Sequence, residues 1–500
     1  MSETNRIIII GAGPAGLSAG YTLAAQGREV CILEADPEYV GGISKTVCYR
    51  GFYFDIGGHR FFSKSQTVEQ FWTNVLPHDM LVRPRVSRIY YRGRLFSYPL
   101  RPLEAFLKLG PLESFRCILS YISARLHPIR PPVSFEDWVV NEFGRRLYEI
   151  FFKTYTEKVW GMRCQDISAD WAAQRIKGLS LWEAVRNSLL THFNRRNSSR
   201  VAKTLITTFR YPRRGPGMLW EACARQIRDW GGTVLLDRTV TNCSYDRAAG
   251  TWQVHAVSRS GDVTTFNAAH IISSAPLREL VRQLAPTPSP PAVAAATALR
   301  YRDFLTVALI LRDVTPLPDN WLYIHDPRVR AGRIQNFKAW SPDMVPDPSL
   351  TCYGLEYFCF EGDGLWSKSD GDLIALAKAE LVQLSLAAEE NILDGYVVRQ
   401  PKAYPVYDPD YKQNIATIRS ELSRAYQNLW LAGRNGMHKY NNQDHAVMTG
   451  LLTAANILAG KILYDVWQVN EDAEYHEEGV DDRQRGDGGL RLVPEALPRR

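Results

Sequence analysis

Metal-binding and disulfide-forming patterns are missing from this chain. Its eight cysteines in 500 residues (Cys31, Cys48, Cys117, Cys164, Cys223, Cys243, Cys352 and Cys359) include no C-x-x-C pair and no metal-ligand spacing. That excludes a zinc ribbon or a disulfide-stapled scaffold. No metal is expected, and the thiols read as buried and reduced, as in a cytosolic protein. Long hydrophobic runs are missing too, so no stable membrane insertion is expected. The polar start MSETNR runs straight into a first strand and leaves no room for a signal peptide; the expected localisation is cytoplasmic. Charge of one sign is scarce: 60 Lys and Arg against 53 Asp and Glu leave +7. This balance suits an anionic small ligand, but it is too diffuse for nucleic acid, and no basic run or nucleic-acid motif is found. Internal repeats and a convincing general base are likewise not apparent. An apolar fraction of 45% over this length indicates a soluble globular protein of two or three domains.

What is present is a complete dinucleotide-binding unit from Ile7 to Glu34. Four isoleucines form a buried strand, Gly11, Gly13 and Gly16 follow as G-x-G-x-x-G with Ala15 among them, and a small-residue helix leads to a second strand ending at Glu34. Gly11 permits the tight turn, Gly13 lets a pyrophosphate approach the helix N-terminus, and Gly16 lets helix and strand pack. Glu34, 34 − 11 = 23 positions after the first glycine, is placed to accept ribose hydroxyls. The next segment, PEYVGGISKT, resembles the second glycine pair of glutathione-reductase-like flavoproteins. That resemblance implies FAD, with Gly41, Gly42 and Ser44 continuing its site.

Further along, YRGFYFDIGGHRFFSKS reads as a strand turning at Gly57 and Gly58 close to a flat ligand. The pattern is helical from about 102 to 205, then returns to glycine loop, helix and strand, and ends with the strand NLWLAG and an apolar helix. The expected class is α/β: an interrupted Rossmann-like FAD-binding domain (1–80, 206–275 and 426–467), an inserted helical domain (81–205) and a mixed or antiparallel β-sheet substrate domain (276–425). The acidic, glycine-rich stretch 468–500 is expected to be a disordered tail. The first helix of the insert mixes Lys and Arg with Leu and Phe, as a membrane-surface anchor does, but packing within the insert is the favoured reading.

A second strong signal is GRNGMHKYNNQDHAVMTG, which sets Gln443, Asp444 and His445 at the start of the last helix. Its free N–H groups and partial positive charge suit an electron-rich flavin ring, and Asp444 reads as the N-cap that fixes this end. Together with GAGPAGLSAG, GGHRFFS, YTEKVWG, WAAQRI, FRYPRRGPGMLWEA, WLYIHD, GRIQNFKAWSP and KAYPVY, this segment makes the chain from Ile7 to about Leu463 resemble the flavin-dependent UDP-galactopyranose mutases, especially their eukaryotic-type branch. Amine oxidases and protoporphyrinogen oxidases are more distant relations in the same superfamily.

Carried over by motif, the resemblance implies that the backbone of His59 lies beside flavin N5 and that Gly58 keeps the ring face open. It implies that Val240 contacts adenine through its backbone, and that Gly433, Arg434, Asn442, Gln443 and Asp444 belong to the flavin site. Arg333 and Arg175 match the family's two diphosphate arginines, with Arg434 near flavin and sugar, and Tyr323, Tyr404 and Tyr440 match its diphosphate-binding tyrosines. Guanidinium suits that task because its planar fork grips phosphate at two points. Tyr98, Tyr155, Thr156 and Trp160 resemble residues that stack on the base and touch the sugar. Leu100 and Arg101 stand where the eukaryotic-type enzymes carry an aromatic and an amide residue that read uracil, so a GDP or dTDP carrier, or another sugar, fits as well.

The implied activity is a nucleotide-sugar mutase that interconverts pyranose and furanose forms, with reduced flavin N5 as nucleophile at the anomeric carbon and no net redox change. NADPH or NADH is the reductant it suggests, the partner is a nucleoside-diphosphate sugar, and the oligomeric state, homo-oligomer included, stays open. The alternative is a redox FAD enzyme of amine oxidase or desaturase type, because the same fold hosts those reactions.

Overall fold

Four isoleucines without a polar position cannot form a half-exposed strand, and Ile7–Ile10 is buried on both faces at the centre of a parallel sheet. The computed structural model describes residues 5–167, 169 and 207–470. The sheet runs Leu429–Leu431, His270–Ser273, Ile7–Ile10, Val30–Leu33 and Thr233–Leu235, with every neighbouring pair parallel. Its strands come from three separated stretches of chain, the interruption expected from the sequence. Helices Pro14–Ala25, Gly217–Asp229 and Gln443–Ala459 cover one face around Leu17, Trp220, Ile227 and Met448. Small residues let two of them touch closely: a Cβ on Gly450 would lie 2.3 Å from the Ala15 carbonyl oxygen. A four-stranded sheet bearing Cys243, Trp252 and Val254 closes the other face.

A seven-stranded sheet stands beside this unit, in the order Ile392–Pro405, Tyr301–Arg312, Leu350–Cys359, Arg333–Asn336, Trp321–Ile324, Ser87–Tyr91 and Arg94–Ser97. All its pairings are antiparallel except that of Trp321–Ile324 with Ser87–Tyr91, so it is mixed. Tyr301–Arg312 is buried along its length except at Arg312, as befits a central strand covered on both faces.

Three expectations need adjusting. Residues 87–97 fall in the span assigned to the inserted helical domain (81–205), ahead of its helical pattern, and they form a hairpin of the large sheet. The reason is local: Arg92 and Gly93 adopt φ of 48° and 77°, the left-handed pair of a tight hairpin turn, between short alternating strands. Residues 277–299 and 411–425 fall in the span expected for the substrate sheet, but Leu277, Leu280, Ala296, Ile418 and Leu422 pack into the core of the dinucleotide unit. The helix Pro111–Leu126, expected to pack by its apolar side, turns Ser114, Cys117 and Ala124 inward and leaves larger apolar side chains exposed. Seven of the free cysteines are buried, whereas Cys48 is exposed on the two-stranded ribbon Thr46–Tyr49 with Phe52–Asp55. The expected tail lies, apart from 468–470, outside the described residues.

Candidate active site

The cradle for a dinucleotide is built from backbone. Gly11 has φ of +96°, and a Cβ there would meet Ser274 Oγ at 2.5 Å; a Cβ on Gly16 would lie 2.0 Å from the Gly11 carbonyl oxygen. Gly13 differs from both. A Cβ on it would meet nothing nearer than Gly42 Cα at 4.0 Å, so the missing side chain opens a gap between the two glycine segments. They are tied by Gly41 N–H donating to the Ala12 carbonyl at 2.8 Å. No side chain caps the helix that starts at Pro14, which leaves its first N–H groups for an anion.

Glu34 sits beside this cradle, accepting from Ala12 N–H at 2.6 Å and Asp36 N–H at 2.9 Å. Burial pushes its carboxyl upward against those two hydrogen bonds. Arg238 N–H bonds the Glu34 carbonyl, bringing the loop before Val240 against the end of the same strand; the Val240 carbonyl itself accepts from Gln283 Nε2 at 2.8 Å. Ala15 touches Gly433, where a Cβ would lie 2.9 Å from Ala15 Cβ. This arrangement of glycines, carboxylate and uncapped helix fits the adenosine and pyrophosphate portions of FAD.

The helix Gln443–Ala459 starts differently from the expectation. Asn442, not Asp444, is its N-cap, in a reciprocal box with His445, whose Nδ1 accepts from Asn442 N–H at 3.1 Å. Asp444 is buried in the first turn, 3.6 Å from His445 Nδ1. Gln443 Nε2 donates to the Arg60 carbonyl at 2.7 Å, coupling the helix start to the segment that carries Gly58 and His59. Gly58 is exposed. His59 is anchored at both ring nitrogens, Nε2 to the Ile56 carbonyl at 2.9 Å and Nδ1 to Ser44 Oγ at 3.4 Å. Burial, with help from the nearby positive charges of Arg434 and Arg333, lowers His59 to about 4, so the imidazole is neutral at neutral pH.

Arg333, Arg434, Tyr155, Tyr323, Tyr404 and Tyr440 converge next to His59, and all six are partly open rather than sealed in the core. Arg434 donates through Nε to the Asn441 carbonyl (2.8 Å) and through Nη1 to Ala403 (3.2 Å), and it lies 5.0 and 5.1 Å from the ring centres of Tyr404 and Tyr440. Those rings stack at 5.6 Å and 16°. Arg333 Nε approaches Glu356 Oε2 to 2.5 Å, an ion pair whose geometry is not that of an aligned hydrogen bond. Burial would lower the Arg333 pKa, but Glu356 and the oxygens of Tyr155, Tyr404 and Tyr323 outweigh it and hold the guanidinium charged. Burial raises the pKa of both Tyr155 and Tyr404, which keeps them as O–H donors.

Tyr323 links this cluster to Tyr98, their centroids 4.7 Å apart, and Tyr155 meets Tyr323 edge-on at 5.5 Å. Thr156 and Trp160 are buried on the same helix as Tyr155, and Trp160 lies 6.1 Å from Tyr440. Arg101 is exposed at the start of the helix Pro102–Leu109 and makes no contact with this cluster, while Leu100 packs into the core of the insert. Arg175 lies outside the described residues.

Several participants escape a reading of motifs. Glu356 is fully buried behind Arg333 and accepts from Gln335 Nε2 at 2.7 Å, and Gln335 in turn accepts from Trp340 Nε1 at 3.0 Å. As the only charged residue of the strand Leu350–Cys359, Glu356 carries a sequence signal that could have marked it. His325, stacked on Tyr155 at 5.0 Å and 4°, and Arg85, 5.5 Å from the Tyr98 ring centre, have no such local signal.

Known proteins share this architecture. A crystal structure of reduced UDP-galactopyranose mutase superposes with a TM-score of 0.77 at 22% identity, covering 91% of this chain and 96% of that one. A putative protoporphyrinogen oxidase from Exiguobacterium gives 0.67 at 17% identity, covering 92% of this chain and 100% of that one. Among curated sequences, a probable UDP-galactopyranose mutase of Klebsiella pneumoniae is 30% identical over 177 residues, which is 33% of this chain and 44% of that protein. An L-amino-acid oxidase of Sistrurus catenatus edwardsii is 31% identical over 134 residues, 24% of this chain and 26% of that protein. The matched stretches therefore span less than half the length of either curated relative. The pattern of the flavin containing amine oxidoreductases matches residues 14–458, most of the chain, and the protein belongs to that family of flavoenzymes, whose cofactor is FAD.

Proposed function

We propose that the protein is a nucleotide-sugar mutase that interconverts pyranose and furanose forms of a nucleoside-diphosphate sugar without net redox change. The observation that carries this reading is the cluster beside His59: two guanidinium groups, Arg333 and Arg434, with four tyrosines around them. Such a set donates hydrogen bonds and positive charge and suits a diphosphate that must be held while its sugar is detached. FAD, when reduced, supplies a nucleophilic N5 for the anomeric carbon, with NADPH or NADH as reductant.

The chain's own residues do the positioning. The Glu356 pair fixes the Arg333 guanidinium, the Asn441 and Ala403 carbonyls fix that of Arg434, and the phenols of Tyr155 and Tyr404 stay protonated at neutral pH. The anchored ring of His59 fixes the backbone that would face a bound flavin, and the imidazole, uncharged at neutral pH, keeps its one N–H engaged with the Ile56 carbonyl. Tyr98, with Arg85 over its ring, offers a face for the base.

A second reading, oxidation of an amine or amino acid, draws on the L-amino-acid oxidase match and on the family's name. Two arginines disfavour an ammonium group in this site, although either could hold a carboxylate. The deciding experiment incubates the purified flavoprotein with UDP-, GDP- and dTDP-sugars, with and without dithionite, and separately with amines and amino acids in air. The mutase reading expects a furanose product from one nucleotide sugar with reduced protein only. Sustained oxygen consumption with an amine or amino acid, and no sugar isomerisation, would establish the second reading instead.

A further inference from the structure

The helix Pro111–Leu126 is packed the wrong way round for a soluble protein. It turns Ser114, Cys117 and Ala124 toward the helix Phe135–Phe143 and its neighbours, and sends its large apolar side chains outward. Leu112, Phe115, Ile118, Leu119, Ile122 and Leu126 are 45% to 70% exposed and share an arc of roughly 120° on the helix. Leu107, 75% exposed, and Leu103 extend the apolar surface onto the preceding helix Pro102–Leu109. A continuous apolar face of this kind on a soluble protein marks an interaction site.

The charges around this face identify what covers it. By helical spacing Arg116 and Arg125 border the apolar arc, one on each side, with side chains 58% and 43% exposed; each also meets a carboxylate, Arg116 that of Glu113 at 3.7 Å and Arg125 that of Glu142 at 3.1 Å. Between residues 92 and 133 the chain carries seven Arg and Lys against two Glu, a net +5. Both of those carboxylates are already engaged, Glu104 with Lys108 at 2.5 Å and Glu113 with Arg146. A second copy docking face to face would set +5 against +5, whereas anionic headgroups complement the cations while the acyl boundary takes up the leucines. We propose that this face binds peripherally to an anionic lipid bilayer, with the helix Pro111–Leu126 lying in the plane of the surface. No helix among the described residues is long and apolar enough to cross a membrane, so the attachment is to the surface.

The test is co-sedimentation of the full-length holoprotein with vesicles of phosphatidylcholine alone and of phosphatidylcholine with phosphatidylglycerol. The protein is expected to pellet with the anionic vesicles, to stay in solution with the neutral ones, and to be released by salt. Phe115→Ser, Leu119→Ser and Ile122→Ser together, all on the exposed face, should weaken vesicle binding on the order of a hundredfold while FAD content stays that of the parent. Arg116→Glu with Arg125→Glu should also release the protein, again with flavin retained. Equal partition to both kinds of vesicle, or none to either, overturns the proposal. So does a concentration-dependent dimer that the triple serine substitution dissolves, because that result gives the face to a second copy.

Discussion

Arg333 faces a carboxylate that has no access to water, and this sets the consequences of removing it. Arg333→Ala is expected to leave the flavin spectrum unchanged and to weaken nucleoside-diphosphate binding by about 1.5 to 3 kcal/mol, read by calorimetric titration, since a charge-assisted phosphate contact is lost. Unchanged affinity would remove Arg333 from the substrate site. The same substitution strands Glu356 fully buried beside Gln335, and breaking such a pair costs about 3 to 5 kcal/mol of stability. Arg333→Ala with Glu356→Gln should recover much of that stability while binding stays weak, which separates the two roles of the arginine in one thermal-melt and titration series. Arg333 could be named as a candidate from its motif, because the residue type and its surroundings resemble a phosphate grip. Glu356 was not read, since its meaning depends on a partner across the strand pairing Arg333 with Glu356, and a single sequence shows no registers.

At the scale of elements, the glycine fingerprint contains two kinds of glycine that look alike in sequence. Gly16 is needed for packing, since a Cβ would collide with the Gly11 carbonyl; Gly13 has extended backbone (φ −78°, ψ −179°) and room for a Cβ, with Gly42 Cα 4.0 Å away. Gly16→Ala is therefore expected to deplete soluble protein, whereas Gly13→Ala should fold with a near-parental melting temperature and be purified largely colourless. A fully flavinated Gly13→Ala would contradict the cradle between Gly13 and Gly42. The strand, turn and helix of this unit were legible because each step follows from local chemistry. The hairpin at residues 87–97 was grouped with the inserted helical domain because its strands are short and directly precede the long helical pattern. The N-cap of the last helix shifted from Asp444 to Asn442 for a related reason. Asn441, Asn442 and Asp444 in NNQDH can each cap, and only the reciprocal bond to His445 selects among them.

At the scale of the whole molecule, buried histidines make acid a strong destabiliser. Burial lowers His59 to about 4, His325 to about 3 and His438 to about 4, from 6.5. The unfolded chain thus binds three protons that the folded protein refuses, and the stability these groups hold above pH 6.5 is lost as pH falls toward their folded values. Asp55 acts with the opposite sign: burial raises it from 3.8 to about 7, so its protonated form favours the fold and its contribution is lost as pH rises through that interval. Among the groups shifted furthest in the acid range, three histidines oppose the one carboxylate Asp55, and the melting temperature is expected to fall on acidification below about 6.5; a melting temperature that rises on acidification would contradict the assignment of neutral buried imidazoles.

The larger architecture was legible to a comparable degree. Interruption of the dinucleotide fold was evident from the return of glycine-loop, helix and strand patterns after the insert. The attachment of residues 277–299 and 411–425 to that fold was not, because it is made by packing of Leu277, Ile418 and their neighbours across long sequence separations. The same limit hid the outward face of the helix Pro111–Leu126: apolar periodicity identifies a stripe but not the side on which its partner lies.

The central claim is that the bound flavin works without being consumed as a reductant. Its most direct test is the number of product molecules formed per electron pair, measured anaerobically after reducing the flavin once with a stoichiometric amount of dithionite and adding the nucleotide sugar identified by the screen. Many furanose molecules per electron pair, with the flavin still reduced at the end, are predicted. One product per electron pair, accompanied by loss of the reduced flavin spectrum, would contradict the account.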